Sequence, residues 1–349
     1  MYNILESKIE KKKAVDVLLT KPFLTATAQC SRRKEYMTDN FCVNGALPSL
    51  GNVPNNKPYT KDLRTKLGVF AVSDGIGTEE EAPNAAHKAL SVLKKYHEKM
   101  GSVTVEAVGT VCEAYAEEAN SLMHSLGTNV GASVAILVIN HGVATAINAG
   151  SARVYSFKYG RLNRLSVDDT ETQHLLNIGA IRREEAMEHP SRRNLTSAIG
   201  FLDASRGNRL HMSSPTPVEN GDIFLLCSNG LTDYLSDDRI SYILSLHMSN
   251  ERLAQRLISE AVARGADDNL SVIVVRSGKG TKNQIAHKGL IKGTFLVILL
   301  AVLCAFLLSR PWKQKKNPVT PSDVPEPTPT AASILSSPSV SDDMFELRQ

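Results

Sequence analysis

The chain has 349 residues, 42% of them hydrophobic and 22% charged, a profile that suits a folded protein with one large core or two domains. Its 40 basic and 36 acidic residues leave a net charge of only +4, and no basic stripe interleaved with aromatics is present, so nucleic acid is not an expected partner. The five cysteines, Cys30, Cys42, Cys112, Cys227 and Cys304, are scattered and mostly sit in apolar runs, which fits small buried hydrophobes in a reducing compartment and not a disulfide framework or a zinc site.

Residues 1–24 are lysine-rich with weak helical periodicity and read as an arm or first helix; charges stand where an export signal needs its apolar core. Two apolar pieces, FLTATAQC and NFCV, flank the polar residues 31–39 and predict two strands joined by a polar turn whose far end presents Asp39. Residues 45–66, rich in proline, glycine and asparagine, read as a surface loop with no element of its own. The run 67–77, LGVFAVSDGIG, predicts a buried strand that delivers Asp74 into a glycine turn. Residues 79–100 and 104–126 carry alanine and leucine at helical spacing.

From 130 onward the texture is short strands. Residues 130–139 and 142–149 pair across Asn140-His141-Gly142, and 153–158 pairs with 161–166 across Tyr159-Gly160. Contiguous hairpins mean antiparallel sheet and argue against a Rossmann arrangement. A polar helical segment over 168–188, an apolar island at 195–200, a strand at 223–227, helices over 231–246 and 251–264 and a last strand at 270–275 complete the soluble part. The expected fold is α+β, a four-layer α-β-β-α sandwich of two antiparallel sheets flanked by helices.

The grammar of strand, acid or amide, then glycine occurs at Ser73-Asp74-Gly75 and again at Ser228-Asn229-Gly230, and the acid pair Asp267-Asp268 precedes the last strand. Asp-Gly is also a common turn former; recurrence at strand ends is what points to a shared site. The motifs VFAVSDGIG (69–77), LGTN (126–129), AGSARVY (149–155), LTSAIG (195–200), GDIFLLCSNGLTDYLSD (221–237) and ADDNLSVIVV (266–275) resemble, in order, those of the PP2C (PPM) metal-dependent serine/threonine protein phosphatases. The resemblance covers about 25–276.

That resemblance implies a pair of Mg²⁺ or Mn²⁺ ions whose bridging water attacks a phosphoryl group in line. It implies Asp74 as the bridging ligand, the Gly75 carbonyl completing the first ion's shell, Asp268 as the last ligand, Asp39 holding metal-bound water, and Lys34 or its neighbour Arg33 gripping the substrate phosphate. Three positions depart from the pattern: Asn229 stands for an aspartate, Thr38 for a glutamate, and Ser151 for the acid of a Gly-Asp-Ser-Arg motif. Asparagine offers a neutral oxygen where a hard dication wants a charge. Asn229 also suits a turn and Ser151 a hairpin. Two functions are thus expected: a protein serine/threonine phosphatase with weakened metal binding, or a pseudophosphatase that binds a phosphorylated protein or a kinase.

After a linker (277–289), the run TFLVILLAVLCAFLL (294–308), extended to 290–310, predicts one transmembrane helix. Basic residues flank it on both sides, so charge does not orient it; family and free cysteines place the domain on the cytoplasmic face of the membrane. Residues 311–349, rich in proline, serine and threonine, read as a disordered tail.

Overall fold

The run 67–76 has no polar face in its middle: Val69 and Ala71 alternate with Phe70 and Val72, and all four are buried. A strand apolar on both sides needs cover on both sides. Val69 and Ala71 pack with Ala85, Leu90 and Tyr115 of helices Glu81–Ser102 and Val108–Leu126. Phe70 and Val72 face a core shared with a second sheet, against Leu24, Phe224 and Ile273. The computed structural model describes residues 23–64, 67–202 and 210–278, all within one unit of the chain.

Among the described residues the strands are β1 (Phe23–Ser31), β2 (Asp39–Val43), β3 (Tyr59–Arg64), β4 (Leu67–Ile76), β5 (Gly131–Asn140), β6 (Val143–Ala149), β7 (Arg153–Lys158), β8 (Arg161–Arg164), β9 (His211–Met212), β10 (Thr216–Pro217), β11 (Ile223–Cys227) and β12 (Leu270–Ser277). One sheet has the order β3-β1-β12-β11-β7-β8, and the other β10-β6-β5-β4-β2 with β9 beside β6. Neighbouring strands pair antiparallel. The first sheet is covered outside by helices Asp237–Ser245 and Asn250–Ala263 through Ile240, Leu253, Leu257, Leu225 and Val272. The layers are therefore helix, sheet, sheet, helix, as expected.

Some expectations change. Residues 45–66 are not all loop: β3 pairs with β1 at the sheet edge, Leu63 being its buried anchor. A strand with one apolar face position and a charged rim is hard to see in a sequence, yet suits an edge. The pieces 23–31 and 39–43 are strands but not a hairpin, because β1 lies in one sheet and β2 in the other. The helix expected over 168–188 is only Glu171–Asn177. That expected over 231–246 is split into Asn229–Thr232 and Asp237–Ser245, because the Ser236 hydroxyl accepts from the Arg239 N–H and caps a new helix.

The fold expectation is corrected at its C-terminal end. Among the described residues no helix is long and apolar enough to cross a membrane. The longest of them, Glu81–Ser102 with 22 residues, has sufficient length but exposes Lys94, Lys95, Glu98 and Lys99. The single-pass helix, membrane attachment and placement on the cytoplasmic face of a membrane are accordingly withdrawn. The stretch 290–310 on which they rested lies outside the described residues, as do 1–22, the linker from 279 and the tail 311–349.

Candidate active site

Three strand ends meet at one rim of the sandwich. β2 begins at Asp39 and β4 ends just beyond Asp74, and these two residues are direct register partners. Opposite them, β12 begins just after Asp268 and β11 ends before Ser228 and Asn229. Gly75 follows Asp74 because nothing larger fits: a Cβ there would lie 1.7 Å from the Ala82 carbonyl oxygen at the start of the first long helix. Gly230 is held equally tightly, 2.0 Å from the Asn269 carbonyl oxygen by the same measure.

Asp39 is 1% exposed. Its Oδ2 accepts from the Ser228 hydroxyl at 2.7 Å, a bond that ties the two sheets together, and that hydroxyl in turn accepts from the Ser271 N–H at 3.0 Å. Its Oδ1 is buried and finds no donor among the described residues. Burial pushes the Asp39 carboxyl up to about 6, opposed by the Ser228 and Ser271 hydroxyls and aided by the charge on Asp268. Burial, with the charges of Asp39 and Asp268, holds Asp74 well above the usual carboxylate range.

The segment 32–38 crosses between the sheets, and Asn269 fixes it. The Asn269 Oδ1 accepts from the backbone N–H groups of Arg33 at 2.9 Å and Lys34 at 3.3 Å, while its Nδ2 donates to the Tyr36 carbonyl at 2.8 Å and the Thr38 hydroxyl at 3.0 Å. Thr38, where the resemblance expects a glutamate, donates weakly to Asp74 Oδ1 at 3.4 Å. Lys34 lies 2.7 Å from Asp268 Oδ1. Burial by itself would lower its ammonium, but Asp268, Asp74 and Asp39 together outweigh that and hold it above the ordinary lysine value. Arg33 turns its Nε to the Ala266 carbonyl at 3.0 Å. The two expected phosphate-gripping cations thus both have internal partners.

Asn229 opens the short helix Asn229–Thr232 and is partly buried. Ser151 is hydrogen-bonded to Ser133, through its backbone N–H at 3.2 Å and hydroxyl to hydroxyl at 3.5 Å. Arg153, next in that motif, is locked on Asp168, its Nε at 2.9 Å from Oδ1 and 3.0 Å from Oδ2. Asp267, beside Asp268, accepts from Tyr234 at 2.6 Å and from Arg193 at 3.2 Å.

The donor set suits a hard divalent cation in one place and not in the other. Asp39, Asp74 and the carbonyl of Gly75 offer oxygens only, with two carboxylates raised first by burial and then by neighbouring charge, and one orphaned oxygen. On the side of Asn229 and Asp268, one position is neutral and the other already has an ammonium at contact distance. Among the described residues no group of three or more His, Cys, Asp or Glu side chains is arranged to hold a metal ion.

No family model matches the chain. It is similar to the serine/threonine phosphatase stp of Listeria welshimeri, 27% identical over 218 residues that make up 59% of this chain and 83% of that protein. It is 25% identical to protein phosphatase PhpP of Streptococcus pneumoniae over 228 residues, 63% of this chain and 91% of the relative. Among solved structures, the Mycobacterium tuberculosis phosphatase PstP/Ppp superposes with a TM-score of 0.58 at 21% identity, over 73% of this chain and 98% of that one. The catalytic domain of PstP in complex with two manganese ions gives 0.57 at 21% identity, over 74% and 100%. Those two likenesses establish the fold. The chain has the fold of the PP2C (PPM) phosphatases and is similar to them in sequence.

Dependence on a divalent metal comes with the PP2C family. What sequence reading missed in this PP2C-type chain are the residues that hold the acids. Asn269 carries the signal of following Asp268 directly, Ser228 that of preceding Asn229, and the Lys34–Asp268 pair has no sequence signal because 234 positions would have to be bridged by topology alone.

Proposed function

We propose that this chain is a divalent-cation-dependent phosphatase acting on phosphoserine and phosphothreonine in proteins. The observation that carries it is the Asp39–Asp74 register pair, two carboxylates side by side with a buried Asp39 Oδ1 that has no donor among the described residues. Asp74, the Gly75 carbonyl and Asp39 would hold Mg²⁺ or Mn²⁺, and the cation when bound supplies an acidified water and charge for the phosphoryl oxygens. Lys34, about half exposed, presents a point charge at the mouth, where a phosphoryl group competes with Asp268 for it. Arg33 is the lesser candidate, since its Nε is engaged by Ala266. Asp268 and Asn229 give a second ion too little charge, and turnover is expected to be slow.

The test is hydrolysis of a phosphothreonine peptide by the full chain with Mn²⁺. Activity abolished by EDTA and by Asp74→Ala supports the assignment; activity unchanged in Asp74→Ala sinks it. A second reading, a pseudophosphatase that binds a phosphoprotein or a kinase, draws on the Lys34–Asp268 contact, which places an ammonium where a cation would sit. Phosphopeptide binding without turnover at any Mn²⁺ concentration would decide for it.

A further inference from the structure

A groove of about 470 Å³ opens beside Asp39, which forms part of its floor. Tyr36, Met37, Leu50, Val53 and Pro83 line it, together with the polar Asn40 and Asn55. Tyr36 is 40% and Leu50 47% exposed, so two large apolar side chains that ordinarily prefer cover face the same opening. Arg32 and Glu35, of opposite charge, also line it. The wall bearing Leu50 is pinned in place. The Asn55 Oδ1 accepts from the Arg32 N–H at 2.9 Å and the Asn56 N–H donates to the Cys30 carbonyl at 2.7 Å. The Asn52 N–H donates to the Ser49 carbonyl at 2.9 Å and closes the turn that carries Leu50.

We propose that this groove seats an apolar side chain of the phosphoprotein substrate, two residues from the phosphorylated one. The inference rests on the phosphatase reading and names its substrate preference. In an extended peptide the side chains at i and i+2 point to the same face, about 7 Å apart. A phosphoryl group directed at Asp39 and Asp74 therefore brings a residue two positions away to face the protein on the same side, and the groove shares Asp39 with the acid site. Tyr36, Met37, Leu50, Val53 and Pro83 supply its apolar surface and Arg32 and Glu35 oppose one another in charge, so leucine, isoleucine, methionine or phenylalanine fits better than a charged side chain. Because the Leu50 turn is fixed by hydrogen bonds, little ordering is lost on binding.

The experiment compares phosphothreonine peptides that carry leucine or serine at position −2 or +2, using the full chain with Mn²⁺. At one of these positions leucine is expected to raise kcat/KM about tenfold through KM, the scale of a small apolar contact. Leu50→Ser, at an exposed position, should erase that preference and leave hydrolysis of p-nitrophenyl phosphate unchanged. Equal kcat/KM for all peptides, or a Leu50→Ser variant that loses p-nitrophenyl phosphate hydrolysis in proportion, overturns the groove. Should no substrate be turned over, fluorescence anisotropy on the same peptides decides. A leucine preference lost in Leu50→Ser retains the groove while the activity falls, and equal binding of all peptides removes the groove.

Discussion

Lys34 Nζ touches Asp268 Oδ1 at 2.7 Å, although the resemblance assigns one of them to the substrate and the other to a metal. The ammonium neutralises a carboxylate that otherwise adds to the repulsion around Asp39 and Asp74. Lys34→Met should therefore free Asp268 for a cation. Calorimetric titration with Mn²⁺ is expected to show one site in the native chain, and tighter or additional binding in the variant. The lysine is half exposed, so the loss in stability without metal should stay below about 1 kcal/mol. An isotherm identical to the native one would show that the contact does not compete with metal.

Asp39 gives a pH dependence of definite sign. Its carboxyl moves from 3.8 when unfolded to about 6 when folded, chiefly through burial. The folded state therefore resists ionisation: the penalty is absent below about 3.8, grows as pH rises through that window, and is complete above about 6. Asp39→Asn should stabilise the cation-free protein at pH 7.5, by on the order of 2 kcal/mol, and change little at pH 3.5. Urea unfolding in EDTA at the two pH values checks this. A gain equal at both would mean that charge is not the cause.

A cation on this pair has to displace a proton, because burial and the neighbouring charges of Asp39 and Asp268 hold Asp74 well above the usual carboxylate range. Mn²⁺ titrations near pH 6.5, run in buffers of different ionisation enthalpy, are expected to show proton release that disappears in Asp74→Asn. Heats independent of buffer would place the cation elsewhere.

His211 makes the opposite case, away from the acids. Its Nε2 lies 2.7 Å from Asp169 Oδ1, and that hydrogen bond outweighs burial and raises the imidazole above 6.5. The stabilisation is full below 6.5 and is lost as pH rises through the folded value. His211→Gln should cost up to about 1 kcal/mol at pH 6, a surface-scale value, and less at pH 9. A gap that stays constant between those pH values would mean that the proton plays no part.

Asn269 is expected to be the most sensitive position that touches neither cation nor substrate. Replacing it with leucine removes the four hydrogen bonds that hold 33–38 and should cost about 2 to 4 kcal/mol. Hydrolysis should fall more than the folded fraction does, with KM raised because Lys34 loses its anchor. A variant as active per folded molecule as the native chain would show that the clamp is not needed for catalysis.

The layers were legible because β4, β5 and β12 are apolar on both faces, a pattern that demands a sheet covered twice. The acids were legible because Asp74 and Asp268 stand at the ends of such runs. β3 was hidden because Tyr59–Arg64 carries Lys61, Asp62 and Arg64 among six residues and owes its state to β1, not to its own composition. The partnership of Lys34 with Asp268 and the fourfold bonding of Asn269 follow from which strands become neighbours, and local spacing carries no trace of that.

β2 and β4 lie in one sheet, β11 and β12 in the other. Each sheet alone thus owns half of the acid cluster: Asp39 and Asp74 on one, Asn229 and Asp268 on the other. An intermediate in which only one sheet has formed would bind cation poorly however complete its secondary structure, because Ser228 and Asn269 reach Asp39 and the 33–38 segment only after docking. In a refolding experiment, the late closure of long-range contacts should therefore coincide with the appearance of Mn²⁺ affinity, making the metal a reporter for the joining of the two halves.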